Sequence, residues 1–321
     1  MTPSAVLKEK SASRMIIIVV LAILAALPLV LTKGWLSLVT EMMILSLAAG
    51  GLNLILGYAG MVSFGPAGLY AVGAYATALI LVYTSLPFGL AFIAGPFVAA
   101  GAAVLIGWFC VRLTQVYFAL LTLAFAQIIH TIIFEWYDFT KGDNGIVDIP
   151  LPELLKPIPH YYYFSLIVVA LCLGLLWMIV RSPFGKTLQA MRENAQRAES
   201  VGIPVRRYQL AAFVISGFFL GVAGSLFCGF NKNVFPNYAH WIKSTEMLVV
   251  CLLGGIYNFF GPLVGSVVYL FLDKVITGYT QYWPLVLGLI IIVLLLFLRG
   301  GIAGFIAERW AQRRGGREEA S

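Results

Sequence analysis

Ten apolar runs, at roughly 15–31, 35–56, 67–85, 88–110, 116–134, 161–180, 209–230, 244–256, 262–280 and 283–299, leave this chain little choice of solvent. About 20 apolar residues make a helix long enough to cross the hydrocarbon core of a bilayer. In lipid every backbone polar group must be satisfied internally, and a helix does this within one segment. The pattern predicts an all-α polytopic integral membrane protein with about ten transmembrane helices, forming one domain over 1–321. Composition agrees: 61% of residues are hydrophobic and 11% charged, whereas a soluble domain is about a quarter charged.

Two runs need comment. The run 244–256 could be continuous with 262–280, but Gly254-Gly255 and Gly261-Pro262 interrupt them, so two helices are expected. The first is too short to cross alone and must be shielded by neighbours or belong to a broken helix. At the N-terminus, Lys8, Lys10 and Arg14 precede the run 15–31 in the manner of a signal peptide. That run is long for a cleaved segment and no small-residue cleavage site follows, so it reads as an uncleaved first span.

Charge then orients the spans. With both termini inside, 15 of the 21 Lys and Arg residues fall on the inner side and six on the outer. That asymmetry obeys the positive-inside rule, and a nine-span alternative would break it. The net charge of +7 thus reports on topology and not on nucleic acid.

The longest polar stretch, 181–208, falls on the inner side. Ser182 is a natural N-cap, Pro183 suits a first helical turn, Gly202 suits C′ and Pro204 stops the helix. Leu188, Met191, Ala195 and Ala198 recur on one helical face, and Glu193 precedes Arg197 by four residues. The expectation is one capped helix with a narrow apolar stripe suited to a groove on a soluble partner; a solvated connector is the other reading.

The outer loop 135–160 carries Glu135, Asp138, Asp143, Asp148 and Glu153 against Lys141 and Lys156, with four prolines and a glycine-rich turn at 141–145. It reads as an ordered acidic cap that a soluble partner could meet, or as a plain solvated loop. Inside the spans, the uncharged glycine-rich stretch 51–68 cannot remain helical from Gly60 to Pro66. Non-helical backbone at this depth is buried or lines a polar cavity. Candidate pathway-lining residues are Asn53, Ser63 and Gly65 here, and Thr122 and Gln127 in the fifth run; for the last two, interhelical hydrogen bonding is the commoner role.

Several chemistries lack their motifs. The sequence has no phosphate-binding loop of the form GxxxxGK[ST], and no HExxH, CxxC or GxSxG. Cys110, Cys172, Cys228 and Cys251 lie in or beside apolar runs with no close pair, and His130, His160 and His240 share no ligand spacing. No catalytic residue, metal or cofactor is expected. Glu41, Glu246, Asp273 and Lys274 sit near outer span ends, so no chain of buried acids suggests a proton relay. These absences weigh against an ion-coupled secondary transporter and against a membrane-embedded enzyme.

Four blocks carry a resemblance: 51–75, 117–127, 142–150, and 182–230 running on to Ser266. The last includes Met191-Arg192-Glu193-Asn194, Ala198-Glu199-Ser200-Val201-Gly202, Gly221-Val222-Ala223-Gly224 and Leu253-Gly254-Gly255 with Gly261-Pro262. Together they resemble the membrane-embedded permeases of bacterial branched-chain amino-acid ABC importers, in particular the longer of the two. The resemblance implies several partners: a homologous second permease, two cytoplasmic ATPase subunits, an extracytoplasmic substrate-binding protein, a small-molecule substrate and the lipid bilayer. It implies no nucleic acid, and a place in the inner membrane. ATP hydrolysis would lie on the partner subunits. Leucine, isoleucine and valine would lead as substrates, with urea or short amides as the alternative. Coupling to the ATPase would fall on Arg192, Glu193, Ala195, Ala198 and Gly202; of the Glu-Ala-Ala…Gly pattern only Ala198 and Gly202 are kept. Pro66 stands where relatives often have His.

Overall fold

The glycines of two spans decide how the bundle packs. The computed structural model describes residues 22–113, 115–279, 282–297 and 301–305, so the basic residues of both tails lie outside the described residues, as does the first part of the predicted span 15–31. The described helices are α1 (22–30), α2 (Lys33–Asn53), α3 (Pro66–Tyr83), α4 (Phe88–Cys110), α5 (Gln115–Glu135), α6 (Tyr137–Thr140), α7 (Ile158–Arg181), α8 (Pro183–Glu193), α9 (Ala195–Ser200), α10 (Val205–Asn231), α11 (Trp241–Gly254), α12 (Gly261–Thr277), α13 (Trp283–Phe297) and α14 (301–305). Among the described residues, six helices are long and apolar enough to cross a membrane.

These six form two layers. In their most apolar stretches, α2 (with the turn that extends it), α3 and α10 bury 78%, 67% and 72% of their residues, against 28% each for α4, α5 and α7. The inner layer closes where small residues let backbones touch. A Cβ on Gly224 of α10 would lie 2.0 Å from the Tyr70 carbonyl oxygen of α3, and one on Gly73 would lie 2.5 Å from the Gly221 Cα. Hydroxyls seal the same crossing. Thr77 Oγ1 and Ser225 Oγ stand 2.8 Å apart, and both reach the Gly73 carbonyl oxygen, at 3.0 and 3.2 Å.

Short α11 is shielded as its length requires. It packs against α2 and α12, with Met247, Val250 and Cys251 fully buried. Gly255, at φ +108°, ends it before α12 starts.

Segments expected on the same side converge at the same end of the bundle. The 135–160 loop is folded onto the α10–α11 connection by an antiparallel bridge, Ile146 N–H to Val234 O at 2.9 Å and Val234 N–H to Ile146 O at 2.8 Å. At the opposite end α8 meets the turn that follows α2.

Candidate functional site

The α2–α3 connection is where regular structure fails inside the protein. After Asn53 the helix widens into a π turn over Leu54–Tyr58, and 59–65 is non-helical until Pro66 starts α3. A π turn leaves the ordinary hydrogen-bond ladder and is frequent at functional sites. Side chains replace the missing backbone partners. Phe64 N–H donates to Thr122 Oγ1 at 3.3 Å, Gly65 N–H to Ser63 Oγ at 3.2 Å, and Ala67 N–H to Ser244 Oγ at 3.0 Å.

The structure thus brings together three of the five candidate pathway residues, Ser63, Gly65 and Thr122. All three are buried, and none lines either of the two large cavities described below. Asn53 packs at Gly57, with its Oδ1 buried and without a hydrogen-bond partner. Gln127 lies about 7.5 Å farther along α5 than Thr122; its Oε1 is likewise buried and unpartnered.

The 181–208 stretch corrects the sequence expectation in four ways. It forms two helices, because Asn194 is extended (φ −158°, ψ 100°) and its side chain accepts from Arg197 N–H at 2.8 Å, capping α9. That break removes the helical geometry joining Glu193 to Arg197, and they form no ion pair. It also turns Ala195 out to the surface, while Leu188, Met191 and Ala198 are buried within this chain and offer no stripe to a partner. Arg192 faces inward: its Nη1 donates to the Gly57 carbonyl oxygen at 2.5 Å, and its guanidinium lies 4.8 Å from the Tyr257 ring centroid. The groups left for a soluble partner include the exposed polar residues Glu193, Gln196, Arg197 and Glu199, with exposed Val201 beside them. An Asn amid helix formers, a preferred cap, was the available signal for the break.

Ser182 does cap α8, and Gly202 has φ +90°. Ile203 N–H reaches the Ala198 carbonyl and Gly202 N–H that of Glu199, the paired bonds of a Schellman turn. Gly202→Val is expected to cost this turn about 1–2 kcal/mol, and Gly202→Asn much less. Faster tryptic cleavage at exposed Arg206-Arg207 in the Val variant, at unchanged membrane abundance, is the check.

Charges scattered in the sequence gather at the end of the bundle that the charge asymmetry expects to face outward. Lys243 pairs with Glu246 at 2.7 Å, Glu41 and Asp273 are their electrostatic neighbours, and Lys274 acts on both of these acids. Glu41, Asp273 and Lys274 also line a cavity of about 640 Å³ between α2, α7, α10 and α12. His130 of α5 and His240 meet nearby with ring centroids 5.2 Å apart. The sequence signal was a Lys-Glu pair three residues apart opening an otherwise apolar helix. At the opposite end, the one expected to face inward, a cavity of about 630 Å³ is bounded by α7, α8 and the α11–α12 turn.

The family model described as "Branched-chain amino acid transport system / permease component" matches residues 34–298. The chain belongs to this family. It is 28% identical over 316 residues to the high-affinity branched-chain amino acid transport system permease protein LivM of Escherichia coli strain K12, covering 90% of this chain and 74% of that protein. LivM of Salmonella typhimurium is 27% identical over the same shares. The high-affinity branched-chain amino acid transport system permease protein LivH of Escherichia coli strain K12 is 26% identical over 283 residues, 81% of this chain and 91% of LivH. No solved structure matches the chain. The permease is therefore a multi-pass helical membrane protein, and within it the family match covers the broken α2–α3 connection, the α8–α9 pair and both cavities.

Proposed function

We propose that the chain is the longer permease subunit of an ATP-binding-cassette importer that carries leucine, isoleucine and valine across the bacterial inner membrane. The observation that supports this most is the similarity to LivM along 90% of the chain. The lesser similarity to LivH fits a second, homologous permease as partner. The subunit has one domain over 1–321 and both termini in the cytoplasm.

The rest of the assembly follows from surface chemistry. Exposed Thr131 shares α5 with exposed Leu120, Ile128 and Ile132. Lipid leaves polar groups unsatisfied, so this face is read as the one the second permease covers, with the solute passing between them. The exposed acids Asp143 and Asp148, held on an ordered loop, suit an extracytoplasmic binding protein. The exposed polar face of α8–α9 suits a cytoplasmic ATPase. Closure of the ATPase pair would push α8; Arg192 would pass the displacement to Gly57, and the non-helical strip at Ser63–Gly65, resting on Thr122, would yield as the spans rock.

Uptake of radiolabelled leucine by cells lacking the gene, with and without the gene restored, tests the substrate. Restoration is expected, with competition by isoleucine and valine and none by urea; urea competition with no leucine uptake would overturn it. Topology has a separate check. All four cysteines are buried, so Gln196→Cys gives a clean reporter. It is expected to react with impermeant maleimide in inside-out vesicles only.

A further inference from the structure

The inner cavity holds charge that transport leaves unexplained. Its walls carry three cations, Arg181, Lys186 and Arg192, and no carboxylate. Like charges around one space repel, and an anion there relieves all three at once. Among the described residues the ion pairs are Lys156–Glu153 and Lys243–Glu246, both far from this cavity in the fold, so Arg181 and Lys186 bring unspent charge to it. Aromatic rings hold the guanidinium groups in place: Arg181 lies 3.8 Å from the Trp177 ring centroid, and Arg192 stands over Tyr257.

The exposed face of α7 that leads to Arg181 is apolar. Ile167, Leu171 and Met178 of α7 are 66%, 61% and 67% exposed. With Arg181 they fall at helical offsets of 0, 4, 11 and 14, a single stripe that ends on the cation. A stripe of bare aliphatic side chains closing on arginine and tryptophan at a helix end is laid out like a phospholipid, acyl chain first and phosphate last.

We propose that this cavity binds the phosphate group of an anionic phospholipid from the adjoining leaflet. The planar Arg181 fork takes two phosphate oxygens, Lys186 adds a point charge, and the acyl chain lies along the α7 stripe. A soluble phosphate would meet the same cations but gain nothing from the stripe, which is the reason to favour a lipid. Because Lys186 and Arg192 belong to α8, an occupied site ties the end of α7 to the helix that receives the ATPase push. The inference rests on the chain spanning a membrane and not on which solute it carries, so the uptake experiment and the one below fail independently.

The test uses purified full-length permease in non-ionic detergent, titrated with dioleoylphosphatidylglycerol, with dioleoylphosphatidylcholine, or with sodium phosphate. The unfolding midpoint and lipid retained in native mass spectrometry are read together. Phosphatidylglycerol is expected to raise the midpoint saturably and to stay bound; phosphatidylcholine and millimolar phosphate are not. Combining Arg181→Gln with Lys186→Gln is expected to weaken phosphatidylglycerol about tenfold or more. Removing the same charge from exposed Arg206 and Arg207 is expected to leave its affinity unchanged. If the first double variant does not fold, Lys186→Gln alone is expected to weaken the lipid about threefold or more. Equal losses in both double variants, no loss in Lys186→Gln, or equal stabilisation by phosphatidylcholine would overturn the site. Stabilisation by phosphate alone would overturn its assignment to a lipid.

Discussion

Arg192→Gln is expected to lower substrate uptake by about 10- to 100-fold while the permease still reaches the membrane in normal amount. The side chain donates from a charged guanidinium to the Gly57 carbonyl at 2.5 Å and stands over Tyr257. A hydrogen bond to a charged group contributes about 1.5–3 kcal/mol, which is the quoted range when expressed as a shift between two conformations. Arg192→Lys is expected to fail almost as badly, since an ammonium on a flexible stem does not reproduce the planar, ring-stacked fork. Uptake in cells is one measurement, and ATP hydrolysis by the assembled importer is the other. Persisting hydrolysis without uptake is the expected pattern. Normal uptake by Arg192→Gln would show that α8 does not act through Gly57.

Gly224→Leu is expected to yield no folded permease, and Gly224→Ala to lose about 3 kcal/mol, the upper end of ordinary overpacking. The reason is steric: a Cβ at this position meets the Tyr70 carbonyl oxygen at 2.0 Å, and backbone cannot rotate away as a side chain can. The α3–α10 crossing would have to open, and with it the Thr77–Ser225 contact that seals it. Gly174→Ala is the matched control. Gly174 sits inside α7 with nothing within 4 Å of the added atom, so the change is expected to be neutral or to gain about 0.5–1 kcal/mol from helix propensity. Detergent unfolding midpoints and monodispersity of the three variants check the contrast.

What the sequence revealed depended on the range over which each signal acts. Apolar run length is local and demanding in lipid, so the six long apolar helices of the described residues, the split between Gly254 and Gly261, and the non-helical strip before Pro66 were legible from run length and from where Gly and Pro fall. The caps at Ser182 and Gly202 were legible too, because a cap is written within four residues. Arg192 was not. It looks like one more cation on a polar helix, and only a partner 135 positions away in the chain turns it inward. The charge cluster around Lys243 was hidden for the same reason: Glu41, Lys243 and Asp273 lie on three different helices. Ala195 failed differently. The helical period placed it with Leu188 and Met191, but Asn194 resets the phase one residue before it.

The bridge between Ile146 and Val234 has a mechanical meaning. Val234 lies three residues beyond the end of α10, the helix most enclosed by α3 and α4, and Ile146 belongs to the loop that carries Asp143 and Asp148. The two connections are stitched by backbone bonds from Ile146 to Val234 and from Ile149 to Lys232, so neither can shift without dragging the other. Tilting of the buried helix is therefore displayed on the surface of the 135–160 loop. A protein seated on that loop has a handle on the centre of the bundle without ever entering it.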